Sequence, residues 1–198
     1  MDLNAYAREV LDAVRYVVLG TVDPDGRPRT SPVFFVPHRY TDLYWVSNPA
    51  SHHSANLTRD GRAAGVVFDS TVVPGPETRA VYVDGSAREI PAVELEQHLP
   101  IAFDPGRGGR AFAAAELAGD ADLRLWVLHV ERMEVHIRGG DPERGTGTDR
   151  RIPVAHDPLR QFPGDRPHPR RRAGRRCRSG RLGGCGLGRA GGPGRRPR

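Results

Sequence analysis

A short polar run, Ser51-His52-His53-Ser54, follows a proline-bearing turn and precedes Asn56-Leu57 in this 198-residue chain. Pro49 ends the preceding strand-like segment, and Ser51 is a credible helix N-cap. The backbone N–H groups of His52, His53 and Ser54 then lack carbonyl partners, and an anion such as a phosphate satisfies them. Arg29, Thr30, Ser31 and Ser47 lie on the strand-like segments just before this point. Hydroxyls, an arginine and imidazoles converging on a helix start suit a phosphorylated cofactor. The chain contains no lysine. Any phosphate must therefore be met by arginine, histidine, hydroxyls or backbone amides.

Other chemistries fit less well. Adjacent residues at a helix start point in different directions and no carboxylate pair sits near His52-His53, so no metal site is expected. His129 and His136 lie seven apart on one expected strand, hence on opposite faces, which argues against joint ligation. Ser31 has no His-Asp pattern that would make it a nucleophile. No general acid or base stands out, and the catalytic residue is unknown. Trp45 and Trp126 read as packing residues rather than cofactor-stacking ones. Gly186-x-Gly188-x-x-Gly191 matches a dinucleotide fingerprint in spacing only, with no strand before it and no helix after it.

The elements that would position these residues are mostly strands. Leu3, Ala7, Val10, Leu11 and Val14 recur at helical spacing after Asp2, which predicts an N-terminal amphipathic helix. A strand over 16–22, an Asp-Pro-Asp-Gly turn at 23–26 and a strand over 27–36 form a hairpin. Further strands are expected at 42–48, 63–69, 78–90 and 123–137. Residues 91–103 and 110–117 read as short helices between the fifth and sixth strands, with Val93, Leu95 and Leu99 on the first. Residues 139–154 read as loop. Six strands with few helices suit a small closed or split barrel, mainly β.

In its ordered motifs the chain resembles the pyridoxamine 5′-phosphate oxidase-like, FMN-binding split-barrel family. The motifs are Leu19-Gly20-Thr21, Asp25-Gly26-Arg27-Pro28, the strand from Thr30 to Phe35, the strand from Leu43 to Ser47, and Ser51-His52-His53 with Asn56-Leu57. The similarity covers residues 3 to about 153. The resemblance implies a six-stranded split barrel that binds FMN, with a homodimer holding the cofactor between its subunits. By position it implicates Arg29, Thr30, Ser31, Pro32, Val33, Val46, Ser47, Ser51, His52, His53 and Asn56 in cofactor binding. It further implies hydride transfer between a small-molecule substrate and the flavin. Two alternatives remain open: a deazaflavin-dependent reductase on the same barrel, or a non-catalytic flavin- or haem-binding protein. The chain departs from the family in three places. His52-His53 replace Arg-Lys, Arg79-Ala80 stand where a cofactor-contacting glutamine is usual, and the Trp-x-x-x-Arg-Leu ending is missing. Vitamin B6 phosphate oxidation is accordingly not expected.

Net charge divides the chain in two. The formal +6 arises because residues 1–159 carry 17 arginines against 23 acidic residues, about −6, while residues 160–198 carry 13 arginines and one acid, about +12. A domain over 1–154 and an Arg/Gly/Pro-rich tail over 155–198 are expected. The tail has too little apolar surface to offset chain entropy, so it reads as disordered. It could be an arm that binds nucleic acid non-specifically through phosphates, or a GC-rich stretch read out of frame. The absence of any aromatic residue after Phe162 favours the second. Both cysteines, Cys177 and Cys185, lie in the tail, so the body has no disulfide framework. Asp2, Glu9 and Asp12 near the N-terminus argue against a leader, and no apolar run approaches a bilayer span, so a cytoplasmic protein that avoids membranes is the expectation. For the phosphate itself, affinity should depend on Arg29. If His53 must be protonated to contribute, affinity should fall as pH rises through about 6 to 8.

Overall fold

Residues 36–38 begin a strand one residue after the preceding strand ends, and that short break organises the barrel. The computed structural model describes residues 2–155. Their order is α1 (Leu3–Ala13), β1 (Tyr16–Val22), β2 (Pro28–Phe34), β3 (Val36–His38), β4 (Asp42–Ser47), α2 (His52–Arg59), β5 (Arg62–Phe68), β6 (Ala80–Glu89), α3 (Leu95–Ala102), β7 (Arg124–Ile137) and β8 (Arg150–Val154). The hydrogen-bonded order is β2-β1-β5-β6-β7-β4-β3, with β8 on β7. Strands β2 and β3 therefore sit at opposite ends of the ladder, yet only Phe35 separates them. The antiparallel sheet must curl until its two edges meet at that residue. Phe35 is fully buried there, and its N–H donates to the Arg15 carbonyl at 3.1 Å. This is a split-barrel fold, mainly β with few short helices.

Alternation fills the barrel interior from one face of each strand. Val17 and Leu19, Val33, Leu43 and Trp45, Val67, Val81 and Val83, and Leu128 and Val130 form one core cluster. Helix α1 closes one side of it with Tyr6, Ala7, Val10 and Leu11, matching the spacing read from the sequence. Asp2 caps α1, its Oδ1 accepting the Asn4 N–H at 2.9 Å. A second, smaller core lies on the other face of β3, β4 and β7. There Val36, Tyr44, Leu125 and Val127 pack against Ile90, Leu95, Ala102 and Leu117.

Several sequence expectations change in the structure. The strand expected over 27–36 is broken at Phe35, for the closure reason just given. Residues 150–154, read as loop, form β8 and pair with β7 from Met133↔Val154 to Ile137↔Arg150. Among the described residues the strands thus number eight rather than six. Residues 110–117 do not form an α-helix: only the three-residue 3-10 turn Ala114–Glu116 appears there, after another at Pro105–Arg107. Gly108 and Gly109 take positive φ values of 78° and 86°, which break any helix before it starts. Val93, expected beside Leu95 on the helix over 91–103, is 88 % exposed, while Leu95 is fully buried and anchors α3.

The histidine geometry on β7 is also corrected. Asp84 pairs with Arg132 but Gly85 pairs with Val130, leaving Glu131 as an extra residue in a bulge. The extra residue reverses the alternation, so Val130 and Met133 both face the core and His129 and His136 share the outer side. They remain apart in function, His129 lying 3.0 Å from Asp42 and His136 3.6 Å from Asp149. Gly85 permits the bulge, because a Cβ there would stand 1.9 Å from the His129 carbonyl oxygen. The expected Arg/Gly/Pro tail lies outside the described residues, apart from Ala155, whose N–H donates to Asn4 Oδ1 at 3.0 Å. Among the described residues no helix is long and apolar enough to cross a membrane.

Candidate functional site

The polar residues of the barrel collect where α2 meets the ends of β1, β2 and β4. The β1–β2 turn is tight, with Gly26 at φ 84° and its N–H donating to the Asp23 carbonyl at 2.9 Å. Pairing of Val22 with Pro28 and Thr21 with Arg29 fixes the register of β2. Leu57 of α2 enters the barrel core and anchors the helix against it.

Ser51 occupies the N-cap position of α2 with φ −66° and ψ 150°, but its side chain makes no capping hydrogen bond. Its hydroxyl donates instead to Ser54 Oγ at 2.9 Å and lies 3.2 Å from His53 Nε2. Ser47, at the end of β4, places its hydroxyl 2.6 Å from the same nitrogen. Three hydroxyls and one imidazole thus surround a helix start whose first N–H groups the cap side chain leaves uncovered. Such a cluster can donate several hydrogen bonds to one tetrahedral anion.

A second polar chain runs beside it. Asn56 Nδ2 donates to Thr21 Oγ1 at 3.1 Å and to Asp23 Oδ1 at 3.0 Å, and Arg29 Nε donates to Asp23 Oδ2 at 2.6 Å. The Asn56 hydrogen bond, then that of Arg29, holds the Asp23 carboxyl below the usual carboxylate range. Asp23 is therefore a fixed negative charge, balanced by Arg29. A groove of about 440 Å³ opens along this side of α2, lined by Arg27, Arg29, His52, Asn56 and Arg59 among others.

The expected site residues are thus brought together only in part. Ser47, Ser51 and His53 meet directly, while Asn56 and Arg29 join through Asp23. His52 turns into the groove, away from His53, as adjacent residues at a helix start should. On β2 the alternation separates the others. Arg29, Ser31 and Val33 share the side of the buried partners Thr21, Leu19 and Val17, whereas Thr30 and Pro32 face outward. Val46 also faces outward, into an apolar pocket of about 370 Å³ between β4 and the segment after α3. The sequence reading missed this pocket, because Phe34, Phe103 and Phe112 that wall it are far apart in the chain. It also missed Tyr44–His98, with Tyr44 Oη 2.9 Å from His98 Nδ1. Burial first, then the charge of Asp42, pushes the Tyr44 phenol up to about 12. Trp45 and Trp126 stack at 6.2 Å within the core, as packing residues. Among the described residues no group of three or more His, Cys, Asp or Glu side chains could hold a metal ion.

Burial, and secondarily the neighbouring His52, lowers the pKa of His53. The neutral imidazole is favoured at neutral pH, so the expected dependence on a protonated His53 does not follow. An anion placed at this helix start would meet hydroxyls and backbone amides rather than a charged imidazole. FMN affinity should then change less than about twofold from about pH 7 to about 8.5, above the second ionisation of the phosphate near 6. Fluorescence titrations at a series of pH values measure this, and a steep loss over that range would restore the charged-histidine contact. For stability the sign runs the other way. The lowered pKa of His53 contributes stability above the unfolded value, and acid removes that contribution as pH falls through the folded one.

A curled antiparallel sheet whose edges meet at Phe35, with a helix start left uncapped by its Ser51 side chain, defines a split-barrel fold. The pyridoxamine 5′-phosphate oxidase family model matches residues 3–137, and the chain belongs to that family. Solved structures agree on the fold. A heme-binding protein from Mycobacterium smegmatis is 23 % identical with a TM-score of 0.53, the match covering 76 % of this chain and 57 % of that one. A protein of unknown function from Agrobacterium tumefaciens is 21 % identical with a TM-score of 0.52, covering 67 % and 55 %. An FAD-binding protein from Mesorhizobium loti is 19 % identical with a TM-score of 0.50, covering 65 % and 90 %. No curated protein matches the chain.

Proposed function

We propose that this protein binds FMN and passes hydride between a small-molecule substrate and the flavin. The observation that carries the reading is the α2 start, where Ser47, Ser51 and His53 converge on uncapped N–H groups. The flavin would supply the redox chemistry, and the protein would bind it, orient it and exclude water. Ser47, Ser51 and the first N–H groups of α2 would hold the phosphate, with Arg29 balancing Asp23 beside it. Ser31 and the β2 backbone would face the ring system, with Val33 packed behind them in the barrel core.

A homodimer belongs to this reading. The outer face of β1 and β5 exposes Tyr16, Val22 and Phe68 at 56 %, 47 % and 42 %, an apolar strip suited to a second copy. A deazaflavin is the second reading. The groove beside α2 bears on it: Arg59 and His52 line it together with Arg29 and Arg27, which pair with Asp23 and Asp25, so a longer anionic tail would have to displace those carboxylates. The test is the absorption spectrum of the purified protein, followed by titration with FMN. Flavin bands, or saturable quenching of FMN fluorescence with a raised melting temperature, are the expected result. A deazaflavin spectrum would select the second reading, and no change in either signal would leave a barrel without a flavin.

A further inference from the structure

Four side chains in one row of the sheet carry chemistry that the phosphate site does not use. In register, Asp42 of β4 faces His129 of β7, His129 faces Ser86 of β6, and Ser86 faces Arg62 of β5. Their neighbours Leu43, Leu128, Ala87 and Ala63 all belong to the barrel core. Alternation therefore sets the four side by side on the outer face. The order is an acid, a base, a hydroxyl and a cation. None of the four lines the groove beside α2 or the pocket beside Val46.

His129 is oriented to take a proton. Its Nδ1 lies 3.0 Å from Asp42 Oδ1, so the neutral ring donates there and keeps Nε2 as an acceptor. The ring is exposed, whereas Asp42 is partly buried and also accepts from Thr41 Oγ1 at 3.4 Å. Ser86 is exposed too, and its hydroxyl has no hydrogen-bond partner among the described residues. Directly paired strand residues hold their Cβ atoms about 4.5–5.5 Å apart, which lets an imidazole reach a hydroxyl. Such contacts often tighten only once a substrate is in place. Arg62 is held by Asp60 through Nε and Nη2 at 3.1 and 2.7 Å, and its charge favours an anion forming on the adjacent strand. Two backbone irregularities fix the row. Arg39 and Tyr40 take φ 52° and 60° in the turn between His38 and Asp42, a left-handed conformation costly for such side chains. Tyr40 Oη donates to Asp12 at 2.9 Å and the Val130 N–H to the Thr41 carbonyl at 2.7 Å, which hold that turn in place. The Glu131 bulge starts at the next pair along, where Gly85 meets Val130.

We infer that Ser86 is a nucleophile for activated acyl esters, with His129 as its general base and Asp42 as the positioning residue. A serine hydroxyl is a weak nucleophile until such a base takes its proton. Ser86 Oγ bonds to the acyl carbon as its proton passes to His129 Nε2. That proton then goes to the departing oxygen as the ester's acyl–oxygen bond breaks. Water, deprotonated by the same imidazole, attacks the acyl-serine, releasing the acid and restoring the hydroxyl. No flavin enters these steps, so the inference stands apart from the flavin reading.

The test uses p-nitrophenyl acetate on the full-length protein, after alkylation of Cys177 and Cys185 to remove competing thiols. Absorbance follows the release of p-nitrophenolate, and peptide mapping locates the acetyl group. Acetyl on Ser86 is expected, with release slowed at least about tenfold in Ser86→Ala and in His129→Gln. Asp42→Asn should slow it by at least about tenfold as well, and shift the His129 ring-nitrogen NMR signals to the Nε2–H tautomer. A merely structural loss would not change the tautomer. Acetyl found only on other residues would overturn the assignment, and that result needs only the unaltered chain. A folded Ser86→Ala or His129→Gln that released p-nitrophenolate at the original rate would overturn it too. An unchanged rate in a folded Asp42→Asn would overturn the positioning role.

Discussion

Arg107→Ala is expected to cost about 4 kcal/mol of stability, since it strips a buried cation from four backbone carbonyls at once. The guanidinium reaches the Leu11 and Asp12 carbonyls at 2.7 and 2.9 Å through one nitrogen, and those of Val14 and Phe35 at 2.8 and 3.1 Å through the other. The first three are the open C-terminal carbonyls of α1, where a positive charge is favoured. The fourth belongs to the residue at which the barrel edges meet. Arg107 is only 7 % exposed and lies 4.8 Å over the Phe35 ring. Burial lowers its pKa, yet no carboxylate shares its contacts. Alanine would leave those carbonyls buried and unpaired and open a cavity beside Phe35. A fall in melting temperature of roughly 8–16 °C follows for a domain of this size. Arg107→Lys keeps the charge but not the fork, so it should recover only part of the loss. Thermal unfolding of both variants is the check, and a shift under about 2 °C for Arg107→Ala would refute the role.

Arg29→Ala should raise the FMN dissociation constant about ten- to a hundredfold. Part of this effect is indirect. Asp23 is held ionised by Asn56 and Arg29 beside the α2 start, and without Arg29 its charge would repel an incoming phosphate. Asp23→Asn in the Arg29→Ala background should therefore recover a measurable share of the affinity. A double variant as weak as the single one would mean that Arg29 touches the phosphate itself. An unchanged constant in a folded Arg29→Ala would remove the residue from the site.

Local patterns made much of this architecture readable. The α1 spacing, the Asp-Pro-Asp-Gly turn and the Ser51 helix start depend on neighbours within a few residues, so propensity and capping decide them. The break at Phe35 does not. The run Pro32-Val33-Phe34-Phe35-Val36 is apolar throughout, and only the pairing of its halves with opposite sheet edges divides it. Strand β8 was hidden because Arg150-Arg151-Ile152-Pro153 reads as solvent-exposed chain. As an edge strand it tolerates both charge and proline, and Arg151 lies 3.6 Å over the Tyr82 ring. Arg107 sits in a Gly-rich sequence that gives no sign of burial, and its partners lie more than 70 residues away. The bulge at Glu131 likewise has no sequence mark on β7, which is why the two histidines were placed on opposite faces. Within the site the anion cluster was legible as a helix start, whereas the aromatic pocket required the fold.

A flavin held by its phosphate at the start of α2 should distinguish FMN from riboflavin. Riboflavin keeps the ring system and lacks the phosphate. Several charge-assisted hydrogen bonds from hydroxyls and amides should make FMN at least about a hundredfold tighter. Fluorescence titration of both ligands against the same protein gives the ratio. A ratio near one, or riboflavin the tighter ligand, would contradict the account.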